Sequence, residues 1–293
     1  MKLNGFQRPV LMTTKIDLQS WMEHAISSLQ KSETPFLEVQ VIAAFVLGQS
    51  REWVIAHSDN AITAEQLDSL NTALSRLQAG EPLAYITGTR SFYGMDFKVT
   101  PEVLIPRPET ELLVEEASQW LENNPRRRSA VDIGTGSGVI AISLADTFLD
   151  LKITGIDISA CALEVARANS EIHHSQERIV WQKNDLLEGI KGSFDLILAN
   201  LPYIPSHKLD SLEVVKFEPR LALDGGADGL QLIRRLLAQS APHIRAGGAI
   251  FLEIESTLGE PTLALANEFF PQAKNDLHLD YANLPRLVRI QTY

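Results

Sequence analysis

One cysteine in 293 residues, Cys161, leaves the chain no internal disulfide partner and points to a reducing, cytoplasmic compartment. Its neighbours Ala160, Ala162 and Leu163 belong to a helix-like stretch, where a lone thiol is expected to be an inert packing residue. No apolar run approaches the roughly 20 residues that cross a bilayer. Met1–Lys15 also lacks the charged, apolar and small-residue regions of a secretory leader. Basic residues are in deficit, 26 Lys and Arg against 37 Asp and Glu, for a net charge of −11. Duplex nucleic acid is held largely by neutralising phosphates, so this balance argues against a nucleic-acid partner. The conspicuous basic cluster, Arg126-Arg127-Arg128, reads as a solvated loop. His57, His173, His174 and His207 show no metal-ligand spacing with the cysteine, so no metal site is expected. Neither a repeat period nor a low-complexity segment is present.

What is there reads as a small helical part followed by a larger α/β part. Met22, Ala25, Ile26 and Leu29 recur at helical steps, as do Leu67, Leu70, Leu74 and Leu77. Thr63 can cap the later helix, and Gly80 with Pro82 ends it. Between them, 35–48 is apolar nearly all round, which predicts a central helix buried by its neighbours. Residues 1–82 are therefore expected to form a helical docking domain. Turn glycines and partial alternation predict a β-hairpin linker over 83–104, and a helix is expected to start at about Thr110. Beyond Ser129, strands are expected near 129–134, 152–157, 178–182, 194–199 and 248–254, with helices between. Such alternation implies a parallel sheet wrapped on both faces, and two more strands, around 275–280 and 286–291, close it.

The first strand runs into Gly134-Thr135-Gly136-Ser137-Gly138. Glycine there permits a tight turn and lets a ligand approach bare backbone. The third glycine falls one residue earlier than a pyrophosphate fingerprint needs, and no Gly-Lys-Ser/Thr triphosphate loop occurs. Asp157 ends the second strand 23 positions after Gly134, placed to hold ribose hydroxyls. Asn184, Asp185 and Leu186 follow the third strand, where side chains can meet an adenine. The ligand this implies contains adenosine and no phosphate.

After the fourth strand come Asn200-Leu201-Pro202-Tyr203. An amide nitrogen is a poor nucleophile because its lone pair is delocalised, so two acceptors are needed to hold a planar NH2 group. The Asn200 side-chain oxygen offers one. The Leu201 carbonyl offers the other, and Pro202 biases Leu201 toward an extended backbone. Tyr203 can stack on the planar group.

These motifs resemble the class I S-adenosylmethionine-dependent methyltransferases of the Asn-Pro-Pro-Tyr type, with Leu201 in place of the first proline. Activity is expected to survive that replacement with a less rigid loop. Ile105-Pro106-Arg107-Pro108-Glu109-Thr110-Glu111, Tyr85-Ile86-Thr87-Gly88, Phe217-Glu218-Pro219 and Leu223-Asp224-Gly225-Gly226-Ala227-Asp228-Gly229-Leu230 are similar to the peptide chain release factor glutamine methyltransferases. The resemblance covers about residue 20 to the end, and residues before about 16 exceed it. It implies a Rossmann-like, seven-stranded, mostly parallel sheet over 105–293. The implied donor is S-adenosylmethionine, held by 134–138, Asp157, Asp185, Leu186 and Asn200. The implied partner is a release factor, methylated on the glutamine of its Gly-Gly-Gln motif at 200–203. Arg107 and Glu109 either pin the linker or act near the site. Glu218, Asp228 and Glu253 are expected to be structural. Competing readings are a ribosomal-protein glutamine methyltransferase, an adenine-N6 or guanine-N2 methyltransferase of DNA or RNA, and a non-catalytic cofactor sensor. The Pro106–Glu111 run disfavours the first and the acidic charge the second, while Asn200 and Tyr203 disfavour the third.

Overall fold

The computed structural model describes residues 16–293, and the segment before them lies outside the described residues. The chain divides into two compact units between Thr87 and Gly88. The first is a helical unit: α1 (Leu18–Ser28), α2 (Pro35–Leu47), α3 (Arg51–Ala56), α4 (Ala64–Gln78) and α5 (Leu83–Thr87). Asp17 and Ser50 cap α1 and α3 with their side chains. Thr63 and Gln66 form a reciprocal capping box on α4, satisfying two end donors at once. Leu18, Trp21, Val39, Ile42, Val54, Leu70 and Ile86 make the core.

Two expectations change in this unit. Helix α2 buries Val39, Ile42 and Ala43 but leaves Phe36, Leu37 and Phe45 exposed, so it is covered on one face rather than all round. Residues 83–87, expected at the start of a hairpin, are helical instead. The Pro82 carbonyl accepts from the Tyr85 and Ile86 N–H groups, and burying both side chains outweighs their strand propensity.

The second unit opens with a hairpin confined to β1 (Thr89–Phe92) and β2 (Met95–Lys98), then α6 (Thr110–Asn123). The alternating run follows: β3 (Ser129–Ile133), α7 (Val139–Thr147), β4 (Lys152–Asp157), α8 (Ala160–Ile172), β5 (Ile179–Lys183) and β6 (Phe194–Ala199). It ends with α9 (Ser206–Leu209), α10 (Gln231–Ser240), β7 (Ile244–Glu253), α11 (Gly259–Phe269), β8 (Lys274–Leu279) and β9 (Pro285–Gln291). The seven-stranded sheet has the order β5-β4-β3-β6-β7-β9-β8, parallel through β7, with β9 and β8 antiparallel. Successive residues of β6 enter different cores: Leu196 and Leu198 join one, Ile197 and Ala199 the other. That two-residue period covers both faces with helices, as a parallel sheet requires.

The arginine cluster is not simply solvated. Arg127 pairs with the buried Asp195 at 3.0 Å, and Arg245 reaches the same carboxylate at 2.9 Å. Arg128 pairs with Asp150 and also reaches carbonyl oxygens at the end of α6. Cys161, expected to pack, is exposed on the first turn of α8. The helix turns its Ala162, Leu163 and Val165 face inward instead.

Candidate active site

The strand order reverses direction between β3 and β6, and the carboxyl ends of parallel strands at such a point open a crevice. A cavity of about 730 Å³ occupies it. Gly134, Thr135, Gly136 and Ser137 line it after β3, Asp157 at the end of β4, Asp185 and Leu186 after β5, and Asn200, Leu201 and Pro202 after β6. The volume falls in the range of small-molecule sites.

The glycine loop is built from within. The Gly134 and Thr135 N–H groups both donate to the Ile156 carbonyl, at 2.8 and 2.9 Å. Beneath it, Thr135 Oγ1 donates to the fully buried Asp132 at 2.5 Å. Burial pushes the Asp132 carboxyl up to about 7. Asp157 accepts from the Gly136 N–H through one oxygen and from the Ser159 N–H through the other, both at 2.9 Å. Burial raises its pKa, and those backbone donors oppose the rise. Each Asp157 oxygen retains a lone pair for a ligand hydroxyl.

Gly138 does something other than line the cavity. It sits at φ +84°, and a Cβ there would come within 2.9 Å of Trp181 and 3.2 Å of Ala166. The third glycine, expected at the ligand, lets α7 pack closely against its neighbours. Asn169, which sequence reading passed over, ties this region together. Buried on α8, it donates to the carbonyls of Ser137 and Lys98 and accepts from the Lys98 N–H, linking loop and hairpin.

At the other wall, Asp185 pairs with Arg235 at 2.8 Å. The Leu201 side chain is buried, and its Cδ2 lies 3.1 Å from where a Gly134 Cβ would stand. Leucine at this position therefore anchors the corner by packing. Asn200 Nδ2 donates to Thr110 Oγ1 at 3.1 Å, and Thr110 is itself buried in the cavity wall. Glu253, at the end of β7, is buried, and its Oε2 has no partner. Burial pushes its carboxyl up to about 7, opposed by the polar groups of Thr110 and Asn200 and by the charge of Arg286.

Tyr203, expected beside the reacting group, is half-buried and outside the cavity lining. Burial, then the charge of Glu253, raises its hydroxyl to about 12, so it stays neutral. The corner's backbone is clamped by the glycine-rich segment after α9. The Ile204 N–H donates to Leu223 and the Gly225 N–H returns a bond to Ile204, at 3.0 and 2.8 Å. Arg107 lines the cavity and pairs with the buried Glu218 at 2.5 Å, while the other Glu218 oxygen accepts from the Ile105 N–H. Both uses weighed for Arg107, a pin and a cavity residue, are thus present.

Sheet order, glycine loop and strand-end acid together define the class I methyltransferase fold. The catalytic domain of hMettl16, solved with the MAT2A 3′UTR hairpin 6, superposes with TM-score 0.51 at 18% identity, covering 72% of this chain and 80% of that one. The 16S rRNA methyltransferase RsmC from T. thermophilus, solved with AdoMet and guanosine, gives 0.51 at 18%, covering 70% and 50%. Residues 20–88 match the PrmC N-terminal domain, and residues 108–217 the methyltransferase small domain. The release factor glutamine methyltransferase of Koribacter versatilis is 37% identical over 83% of this chain and 88% of its own. Those of Moorella thermoacetica and Escherichia coli are 38% and 35% identical, over 87% and 81% of this chain and 90% and 86% of theirs. The chain belongs to the release factor glutamine methyltransferase family.

Proposed function

We propose that this protein transfers a methyl group from S-adenosylmethionine to the side-chain amide nitrogen, N5, of the glutamine in the Gly-Gly-Gln motif of peptide chain release factors. One observation carries the reading: the glycine loop, Asp157 and the Asn200-Leu201-Pro202 corner line a single cavity. The residues present suit the donor, because Asp157 keeps lone pairs for ribose hydroxyls and the bare loop admits a ligand against backbone. When bound, the donor supplies an already activated methyl group on a sulfonium. The Asn200 side-chain oxygen and the Leu201 carbonyl accept the two N–H bonds of the glutamine amide and fix its nitrogen in line. Alignment of this kind is worth up to several kcal/mol. Asp185 and Leu186 flank the adenine, and Tyr203 supports the corner from beside the cavity.

The helical unit docks the protein substrate. Its exposed Phe36 and Phe45 on α2 suit that task. A cytoplasmic location goes with this reading, since release factors act in translation. No helix among the described residues is long and apolar enough to cross a membrane.

Labelled S-adenosylmethionine offered with a release factor, a ribosomal protein extract and DNA in turn tests the substrate. Label is expected in the release factor at glutamine, and label in DNA alone would overturn the reading. Asn200→Ala should lower kcat tenfold or more while S-adenosylhomocysteine still binds. Full activity in that variant removes the acceptor pair.

A further inference from the structure

Leu186 is a leucine in a glycine's conformation. It is buried in the cavity wall after β5 at φ +51°, in the left-handed region that other residues seldom enter. Such outliers persist where the surroundings over-determine them, and they gather at ligand sites. Two peptide units meet at Leu186, and both are held. In the one before it, the Asp185 carbonyl accepts from the Glu188 N–H at 3.2 Å. The one after it is gripped at both ends. Its carbonyl, on Leu186, accepts from Asn184 Nδ2 at 3.0 Å, and its N–H, on Leu187, donates to Gln239 Oε1 at 2.9 Å. Asn184 Nδ2 also donates to the Glu188 carbonyl at 2.9 Å. The amide nitrogen of Asn184 is thus spent inside the loop rather than offered to a ligand.

Gln239 is the distant member of this set. It is the next-to-last residue of α10, outside the cavity lining and 52 positions along the chain from Leu187. One helical turn earlier, Arg235 pairs with Asp185 at 2.8 Å, so α10 holds the loop by two side chains on one face. We propose that Gln239 is a positioning residue for the cofactor: by accepting the Leu187 N–H it keeps Leu186 in its left-handed conformation and shapes the adenosine half of the cavity, on the reading that places the donor's adenine beside Asp185 and Leu186. Without that acceptor the buried N–H is relieved by rotation of its peptide unit, which also draws the Leu186 carbonyl off Asn184.

The test compares Gln239→Met, which keeps the length and loses the acceptor, with Gln239→Glu, whose carboxylate can take the same N–H. Calorimetry with S-adenosylhomocysteine should show at least a fivefold loss of affinity in Gln239→Met and a value within twofold of the parent in Gln239→Glu. In steady-state methylation of a release factor, KM for S-adenosylmethionine should rise by a like factor in Gln239→Met. Its kcat should stay within twofold of the parent, because the reacting corner is untouched. A further readout needs neither substrate nor cofactor. The Leu187 amide proton should exchange slowly in the parent and Gln239→Glu, and at least tenfold faster in Gln239→Met. Parent-like affinity or parent-like Leu187 exchange in Gln239→Met would overturn the assignment, as would equal losses of affinity in the two variants. A parent that does not bind S-adenosylhomocysteine would remove the adenosine reading itself, an outcome distinct from parent and variants binding alike. If release factors take no label, the substrate reading fails while calorimetry still decides the role of Gln239.

Discussion

Asp157 shows how one side chain can be committed twice. Both of its oxygens already accept a backbone N–H, from Gly136 and Ser159, before any ligand is considered. Asp157→Asn must therefore point an NH2 group at one of these donors. The change removes an acceptor and also sets donor against donor, at a cost of about 1–3 kcal/mol for an unmet buried partner. The expected outcome is at least a tenfold loss of S-adenosylhomocysteine affinity by calorimetry, larger than removal of one ribose contact alone. An unchanged dissociation constant would show that Asp157 serves only the loop. Sequence spacing placed this acid at the cavity, but not its second task, because backbone donors carry no residue signature. The same holds for Thr110, which reads locally as a helix start and which only the fold brings to Asn200.

At the scale of elements, the reacting corner depends on a segment that follows it in sequence. Ile204 forms an isolated parallel bridge to Asp224, and Gly225 lies against the backbone of Pro202 and Tyr203. A Cβ on Gly225 would stand 2.6 Å from Tyr203 Cα and 2.8 Å from the Pro202 oxygen. Both neighbours are main chain, which cannot swing aside as a flexible side-chain tip does. Gly225→Ala should therefore displace 202–203 and lower kcat about tenfold or more, with S-adenosylhomocysteine affinity nearly unchanged because the opposite wall is untouched. Parent-like turnover would mean that the corner tolerates movement. The regular elements were legible because the hydrophobic period switches cleanly at Ser129, and strands at 129–133, 152–157 and 194–199 fall where alternation puts them. Residues 83–87 were not, since the run Tyr85-Ile86-Thr87 favours a strand locally and becomes helical only by burying Tyr85 and Ile86. The outer face of α2 misled for the complementary reason: apolar residues mark where something packs, without saying whether it is this chain.

The whole molecule carries an excess of negative charge, and among its buried carboxyl groups two are shifted far from their ordinary range. Asp132 and Glu253 are pushed up to about 7 by burial, whereas a carboxyl in the unfolded chain titrates near about 4. Between those values the folded state binds more protons than the unfolded one, so stability falls as pH rises through this window. Asp224, held low by the Ser206 hydroxyl, and Asp228, held low by Arg234, act with the opposite sign. Their contribution is complete above about 4 and is lost only as the pH drops below it. The melting temperature should therefore peak near pH 5 and decline toward pH 8. Mutual repulsion within a chain of net charge −11 slopes the same way, so pH alone does not separate the two causes. Salt does. Exposed charges are screened at high ionic strength and buried ones hardly at all. If the buried carboxyls set the slope, it should persist in half-molar salt and become shallower in Asp132→Asn, whose side chain cannot ionise. A slope that vanishes in salt and is unaltered in Asp132→Asn would assign the pH dependence to the surface.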